Sequence, residues 1–285
     1  MFAELLPLLA FTTFAGLAAG AYAIDAVCGN ARVGGGSAAH GGAAAGSGGE
    51  AAGIPANAAS DALARPWLFP LVCLVLLGVG LCGTLAHLGQ PLRFLNGMSN
   101  PGSMIAQEAY WSIAFGAVIL VDLVLAWRKG AVARPVRWVG GLVALGLMAV
   151  TGLAYCKSLG LPAWNGAATI PLFVLGDLAL GAGLCALLDG KALRDGHLAA
   201  ANVAAGVAFA TVLCAFGLHL ARIGLDATGL LVAAGIAGPV GASVAAAAAR
   251  TGKLPVSAGG IAVCVLATVG VVLARIAFFA AGMLP

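Results

Sequence analysis

The sequence predicts an all-α, polytopic membrane protein, a bundle of eight transmembrane helices with both termini extracytoplasmic. Of its 285 residues, 62% are hydrophobic and only 8% are charged, whereas a soluble domain has roughly 25% charged residues. The charges also fall in clusters, separated by apolar stretches of about 20 residues, the length that crosses a bilayer as a helix. This composition excludes a soluble enzyme. The unbroken apolar stretches exclude an outer-membrane barrel, whose strands alternate in polarity.

Eight apolar stretches account for the predicted spans. The fifth is too long for one helix, and Pro162 and Trp164 indicate a loop at its start, so this helix is expected to begin near Thr169. Gly and Ala are abundant throughout, which favours close approach of helices in lipid. The stretches cover residues 5–24, 66–86, 109–121 with an extension to 127, 138–156, 159–188, 198–220, 229–249, and 254–274 with an extension to 283.

Basic residues set the predicted orientation, because cytoplasmic loops carry an excess of Lys and Arg. The loops after the first, third, fifth and seventh spans together hold ten of them, with Arg134 and Arg137 assigned to the loop after the third. The other loops hold only Arg93, Lys157 and Arg222. We therefore expect a multi-pass protein of the inner (cytoplasmic) membrane.

The N-terminal region and the segment after it call for separate interpretation. The first helix has small residues that resemble a signal-peptide cleavage site, but it carries Glu4 where a basic region is required, so we expect it to be retained. Residues 28–65 are rich in Gly, Ala and Ser and are predicted to form a flexible cytoplasmic linker, with His40 solvated. Residues 1–285 otherwise form one membrane domain.

The seven cysteines do not predict a metal site. No two of them form a C-x-x-C pair, and most lie within apolar helices, where Cys behaves as a small hydrophobic residue. An iron–sulfur cluster requires clustered thiolates, and zinc sites have characteristic ligand spacing. We therefore expect no iron–sulfur cluster and no metal in this chain.

The richest group of polar residues at membrane depth lies between the second and third spans. His87 ends the second span, Glu108 opens the third, and a short loop with Arg93 and Asn96 joins them. An imidazole and a carboxylate at one depth could accept the protons released when a lipid-soluble two-electron carrier is oxidised. The alternative is structural: Glu108 pairs with Arg93 or caps its helix, and His87 bonds a backbone carbonyl.

These residues also carry a resemblance to a known family. His-Leu-Gly-Gln-Pro at 87–91, followed by Arg93, Asn96 and Glu108, resembles the membrane-anchor subunit of dimethyl sulfoxide reductases, the DmsC family. The 28–65 segment and Asp177 depart from the family pattern. Looser similarities extend over nearly the whole chain, at Phe11, Thr12, Phe14, Tyr155, Ser158, Pro162, Trp164, Pro171, Arg275, Phe278 and Met283.

The resemblance implies a non-catalytic anchor that takes part in anaerobic respiration. Such an anchor binds and oxidises menaquinol at the outer face and passes the electrons to a ferredoxin-like iron–sulfur subunit, which supplies a molybdopterin catalytic subunit. Menaquinol is the expected cofactor, without haem, and membrane lipid but not nucleic acid is an expected partner. The resemblance implies that His87 and Glu108 bind and deprotonate the quinol. The full predicted quinol-binding set is His87, Arg93, Asn96, Gln107, Glu108, Tyr110 and His219.

Three alternatives stay open. A b haem could be held by His87 and His219, both at the outer face, although His219 is rather expected to line the quinol pocket or bond a carbonyl. A quinone-linked anchor of the polysulfide or nitrite reductase (NrfD-like) type would share the topology and the quinol chemistry. A secondary transporter would show internal repeats and helices broken at mid-membrane, and the sequence contains no convincing repeat.

Two further carboxylates are predicted to be buried. Asp122 follows Glu108 by 14 residues, about four helical turns, and so shares its face. This spacing allows a proton path from the quinol site toward the cytoplasm. Asp177 is expected to form a structural ion pair with Arg275 in the last span, because unpaired charges at membrane depth are costly.

Overall fold

The chain is helical throughout the part that the structure describes. The computed structural model describes residues 2–39, 66–87, 94–158 and 160–283, and the side chains of 6–29, 66–85, 96–158 and 160–283. These residues contain no strand. The α-helices are α1 (Phe2–Ala39), α2 (Leu68–His87), α3 (Phe94–Gly97), α4 (Met104–Lys129), α5 (Arg134–Cys156), α6 (Thr169–Leu188), α7 (His197–Arg222), α8 (Thr228–Gly235), α9 (Ser243–Arg250) and α10 (Val256–Met283).

Eight helical segments are long and apolar enough to span a membrane, which confirms the predicted fold class. The fifth begins at Thr169, the start that was predicted because Pro162 and Trp164 indicate a loop before it. The seventh joins α8 to α9 through a π-helical segment, Ile236–Ala242, that contains Pro239. The side of the membrane that each terminus faces stays a prediction. The spans are Leu6–Gly29, Leu68–Leu85, Met104–Lys129, Arg134–Cys156, Thr169–Leu188, His197–Arg222, Thr228–Arg250 and Val256–Met283.

Two helix boundaries differ from the sequence prediction. The fourth span begins at Arg134, so Arg134 and Arg137 belong to α5 and not to the preceding loop. The first helix continues to Ala39, past residue 28, where the linker was predicted to begin. Cys28 is buried, and a side chain at Gly29 would meet the Arg134 guanidinium, so packing holds the helix as far as Gly29. The remainder of the predicted linker, 40–65 with His40, lies outside the described residues.

α1 and α6 form the centre of the bundle. Buried residues make up 67% and 61% of their most apolar windows, against 44% or less in the other six spans. α1 packs against α2, α5 and α6, while α6 also packs against α5, α7 and α10. α4 lies to one side, on α2 and α5. Side chains on α1 and α6 are therefore positioned to connect the two halves of the molecule.

Glycines allow α1 and α6 to approach with their backbones in contact. A Cβ on Gly20 would overlap the backbone carbonyl of Asp177, and a Cβ on Gly181 would overlap the backbone of Gly20. One turn before Gly20, Gly16 leaves the space that the Asp177 carboxylate occupies. Small residues serve this purpose between membrane helices, where close backbone packing replaces the hydrophobic driving force. The Asp177 side chain therefore reaches the interior only because α1 carries glycine here.

Gly20→Ala tests this crossing. The added methyl group has no space, so we expect the folded chain to lose about 1–3 kcal/mol, the usual cost of overpacking. Thermal unfolding of the full chain in detergent, followed by a fused fluorescent protein on a sizing column, measures the loss. Gly78→Ala on α2 is the matched control, because a Cβ there meets nothing within 4 Å. Equal stability of the two variants would contradict the packing account.

Candidate functional site

The predicted polar group lies at one end of the bundle, where α2 ends and α4 begins; we call this the Glu108 end. A Cβ on Gly116 of α4 would lie 3.5 Å from Leu77 Cδ2 of α2, so the two helices touch at this level. Consecutive spans run in opposite directions. We count ten residues from Leu77 along α2 and ten from Gly116 back along α4, both toward this end. His87 of α2 is therefore level with Ala106 of α4. The backbone of His87 thus lies within one turn of the depth of Glu108. The side chain of His87 and all of Arg93 fall outside the described part.

Two of the predicted residues hold the connecting loop against α4. The Tyr110 hydroxyl donates a hydrogen bond to the Met98 carbonyl, and Gln107 Nε2 donates to the Pro101 carbonyl at 2.7 Å. Asn96 is exposed on the short helix α3, and its carbonyl accepts a hydrogen bond from the Ser99 hydroxyl at 2.6 Å. Asn96, Gln107 and Tyr110 therefore shape the entrance of the Glu108 end.

Glu108 itself points toward α5. Its side chain is half-buried, and its carboxyl faces the Thr151 hydroxyl. Ser103 is the N-cap of α4, and no acidic residue occupies the first turn, so Glu108 does not cap the helix. A carboxylate in this position can accept a proton, with Thr151 to orient it. Thr151 is absent from the predicted site.

An aromatic cluster follows one turn along α5. The Tyr155 ring stacks on Phe173 with centroids 5.0 Å apart, and it meets Trp164, Phe278 and Phe279 edge-on at 5.4 to 5.5 Å. The Tyr155 hydroxyl is close enough to Glu108 to interact electrostatically with its carboxylate. The Trp164 indole donates to the Phe278 carbonyl at 2.8 Å and so closes the loop before α6 over the cluster. The spacing of Thr151 and Tyr155, four residues apart on one helix face, was the available sequence signal.

His219 contacts the same loop from α7. Its Nε2 donates to the Pro162 carbonyl at 2.9 Å, the second of the two roles expected for it. This nitrogen is therefore engaged by a carbonyl, which argues against its use as a haem ligand. Among the described residues α7 packs mainly on α6 and on the seventh span, whereas α4 packs on α2 and α5, so His219 and Glu108 stand on helices with different main neighbours. His219 fixes the loop that carries Trp164.

The structure brings Asp177 and Arg275 together in the interior. Arg275 Nη2 donates to Asp177 Oδ1, and both side chains are buried. The guanidinium also lies over the Phe173 ring, 5.4 Å from its centroid. This pair joins α6 to α10. Arg275 Nη1 has no hydrogen-bond partner among the described residues.

A second ionic cluster lies at the opposite end, which we call the Arg137 end. Arg137 of α5 binds Asp25 of α1 through Nη1 at 2.8 Å and Asp122 of α4 through Nε. The Tyr22 hydroxyl donates to the same Asp122 oxygen at 2.9 Å, and the guanidinium lies 4.1 Å from the Phe69 centroid. Arg137, predicted to be a loop cation, is thus a buried residue that joins three helices. Asp122, predicted on a path from Glu108, is held in this cluster.

Sequence reasoning missed Asp25 and Tyr22 as members of this cluster. The helices α1, α4 and α5 carry, near the same end of the bundle, Asp25, Asp122 and Arg137. This common depth was the sequence signal that could have identified them as one cluster. Among the described residues, no group of three or more His, Cys, Asp or Glu side chains could hold a metal ion. The described polar groups offer proton transfer, ion pairing and hydrogen bonding.

Comparison with known proteins adds one finding. Residues 67–230 match the family model described as DMSO reductase anchor subunit (DmsC). The match covers more than half of the chain and includes α2, Glu108, Thr151, Asp177 and His219. No curated protein matches the chain.

Proposed function

The chain belongs to the DMSO reductase anchor subunit (DmsC) family, and from this premise we propose that it oxidises menaquinol at the Glu108 end. Family membership and the eight apolar helices make it a multi-pass membrane anchor that associates with a molybdopterin catalytic subunit. The proposal concerns what this anchor does chemically: its substrate, the residues that take the protons, and the carrier that takes the electrons.

The observation that supports the proposal best is the environment of Glu108. The carboxyl is half-buried near the end of a membrane helix, faces the Thr151 hydroxyl and interacts electrostatically with Tyr155. Oxidation of a quinol to a quinone releases two protons and two electrons, so the site must offer a base. A carboxylate within hydrogen-bond reach of a quinol hydroxyl can fill that role. His87, which ends α2 at nearly the same depth, is the proposed second base.

The surroundings also fit an apolar bicyclic ring that enters from lipid. α4 exposes Ile105 and Ile113 on its outer surface, each about half accessible, which offers a lipid-facing approach to this level. Aromatic rings prefer stacked or edge-on contact with other rings, and the Tyr155 cluster supplies them. In the proposal Asn96, Gln107 and Tyr110 hold the loop at the entrance, Arg93 supports the bases, and His219 braces the loop that carries Trp164.

We propose a ferredoxin-like iron–sulfur subunit as the electron acceptor, docked at the Glu108 end. Such a subunit would carry electrons one at a time to the molybdopterin subunit. The complex would reside in the inner membrane and serve anaerobic respiration, draining the quinol pool. The NrfD-like alternative would keep this chemistry with different partners, and the family match favours the DmsC type.

Photolabelling tests the proposed quinol site. A photoreactive azido derivative of a short-chain menaquinone, added to membranes that contain the tagged chain, is expected to label residues 94–110 or 151–158. An excess of the unreactive analogue should prevent this labelling. Mass spectrometry of the purified chain locates the adduct. Label that appears only on α7 to α9, or that excess analogue leaves unchanged, would contradict the proposed site.

A further inference from the structure

A narrow cavity lies inward from Glu108. It opens between α1, α5 and α6, with Thr151 on one side, Asp177 on another, and mostly apolar residues of α1 and α5 around the rest. It has room for about one water molecule. Because Thr151 also faces the Glu108 carboxyl, this cavity lies between the proposed quinol base and the buried ion pair.

The polar groups around the cavity are suited to hold that water. A buried water needs two to four polar partners; the Thr151 hydroxyl and the Asp177 carboxylate supply two. Arg275 Nη1, on the guanidinium that binds Asp177, is a buried donor without a partner among the described residues. Buried donors of this kind are normally satisfied, often by water. Arg275 does not itself line the cavity, but its unpartnered donor shows that the ion pair behind the cavity has hydrogen-bonding capacity left over.

We propose that Glu108, Thr151 and Asp177 form a proton-transfer path, linked by one water molecule in this cavity. The inference rests on the proposed function and adds a route for the proton. Thr151 lies five residues from the end of α5 and Asp177 eight residues into α6. These positions correspond to about 8 and 12 Å below the helix ends. The path therefore leads inward from the quinol site.

Each step moves one proton. Quinol gives two electrons to the iron–sulfur partner and two protons to the site, one of which binds the Glu108 carboxylate. Thr151 donates its hydrogen bond while Glu108 is ionised. Once Glu108 is protonated the direction reverses: the Glu108 proton moves to the Thr151 oxygen as the Thr151 hydroxyl proton passes to the water, so Glu108 returns to a carboxylate and Thr151 remains a hydroxyl. The water gives one of its protons to the Asp177 carboxylate, and Arg275 stays charged; release of that proton returns Asp177 to its ionised form before the next turnover. No other atom changes its bonding.

The ion pair is suited to receive this proton. The Asp177 carboxylate is buried, lines the cavity and accepts a hydrogen bond from Arg275. The helices packed around Asp177 contribute few other polar groups: α5 contributes Thr151 and the more distant Tyr155, and α1 presents Thr12 and Gly16 but no ionisable side chain to the cavity. Asp177 is thus the proton acceptor at the cavity. An ion pair with a purely structural role would not require contact with the cavity.

Removal of the Thr151 hydroxyl is the direct test. In the purified complex, Thr151→Val is expected to slow reduction driven by 2,3-dimethyl-1,4-naphthoquinol about 100-fold, the lower end of the range for loss of a group that transfers a proton. Photolabelling and partner content should not change, and Thr151→Ser should restore the rate. Thr13→Val is the matched control, because Thr13 is also buried but lies outside the cavity lining. A normal rate in Thr151→Val would overturn the path.

A double variant separates proton transfer from folding. Asp177→Asn with Arg275→Gln leaves no charge unpaired, and it should slow turnover by about as much as Thr151→Val, with no further slowing when all three changes are combined. Additive losses would overturn the path. If this variant does not fold, the Thr151→Val result decides alone. If the wild-type complex fails to oxidise the quinol, the proposed function fails as well. A normal Thr151→Val rate beside an inactive Glu108→Gln removes only the path.

Discussion

Replacing Glu108 with Gln lowers menaquinol-driven reduction by the complex at least about 100-fold, the usual range for loss of a positioned acid–base group. Gln keeps the shape of the side chain and can still bond to Thr151, but it cannot accept a proton. The loss should therefore appear in turnover and not in assembly. Stopped-flow measurement with 2,3-dimethyl-1,4-naphthoquinol as donor gives the rate, and molybdenum and iron content reports assembly.

Asp226→Asn is the matched control for this substitution. Asp226 lies between α7 and α8, outside the spans, and is exposed. Its pKa is lowered because the side chain and backbone N–H of Thr228 hydrogen-bond to its carboxylate. The same chemical change there should leave quinol oxidation at the wild-type rate. A Glu108→Gln complex that turns over normally would remove Glu108 from the proposed mechanism.

Arg137→Gln is expected to have the largest effect on folding. The change leaves the buried Asp122 carboxylate with only Tyr22 as a partner and deprives Asp25 of its closest cation. Breaking a buried ion pair in this way costs about 3–5 kcal/mol. We expect little folded chain in the membrane and a clear drop in thermal stability in detergent.

Two further variants identify the cause of that loss. Arg128→Gln changes an exposed arginine in the last turn of α4 and should leave stability unchanged. Asp122→Asn combined with Arg137→Gln removes both buried charges of the closest pair and should recover part of the stability, while Arg134 still lies 3.7 Å from Asp25. If the double variant is no more stable than Arg137→Gln, unpaired charge is not the reason for the loss.

The fold was predictable because each membrane span can be recognised from its own stretch of sequence. Twenty apolar residues define a membrane helix without reference to any other helix, and Pro162 with Trp164 indicated where α6 begins. Arg134 and Arg137 were assigned to a loop because the same local reasoning places charged residues outside the apolar stretches. Hydropathy counts each charge as unfavourable in a membrane span. It contains no information that Asp25, more than 100 residues earlier, lies beside Arg137.

The same limit separates the parts of the site that were found from those that were missed. Glu108, Gln107 and Tyr110 lie within one short segment, so a motif could identify them together. Thr151 faces Glu108 only because α4 packs on α5, and its four-residue spacing from Tyr155 does not indicate which other helix it meets. Asp177 and Arg275 could be matched because few other charges stand at membrane depth.

The central claim is that this anchor delivers electrons from menaquinol to an iron–sulfur partner. The most direct test is to purify the tagged full chain with its partners in mild detergent, add 2,3-dimethyl-1,4-naphthoquinol without oxygen, and record the electron paramagnetic resonance spectrum. We predict that molybdenum and iron co-purify and that the quinol produces the signal of reduced iron–sulfur clusters. Clusters that dithionite reduces but the quinol does not, or a chain that purifies without metal, would contradict the claim.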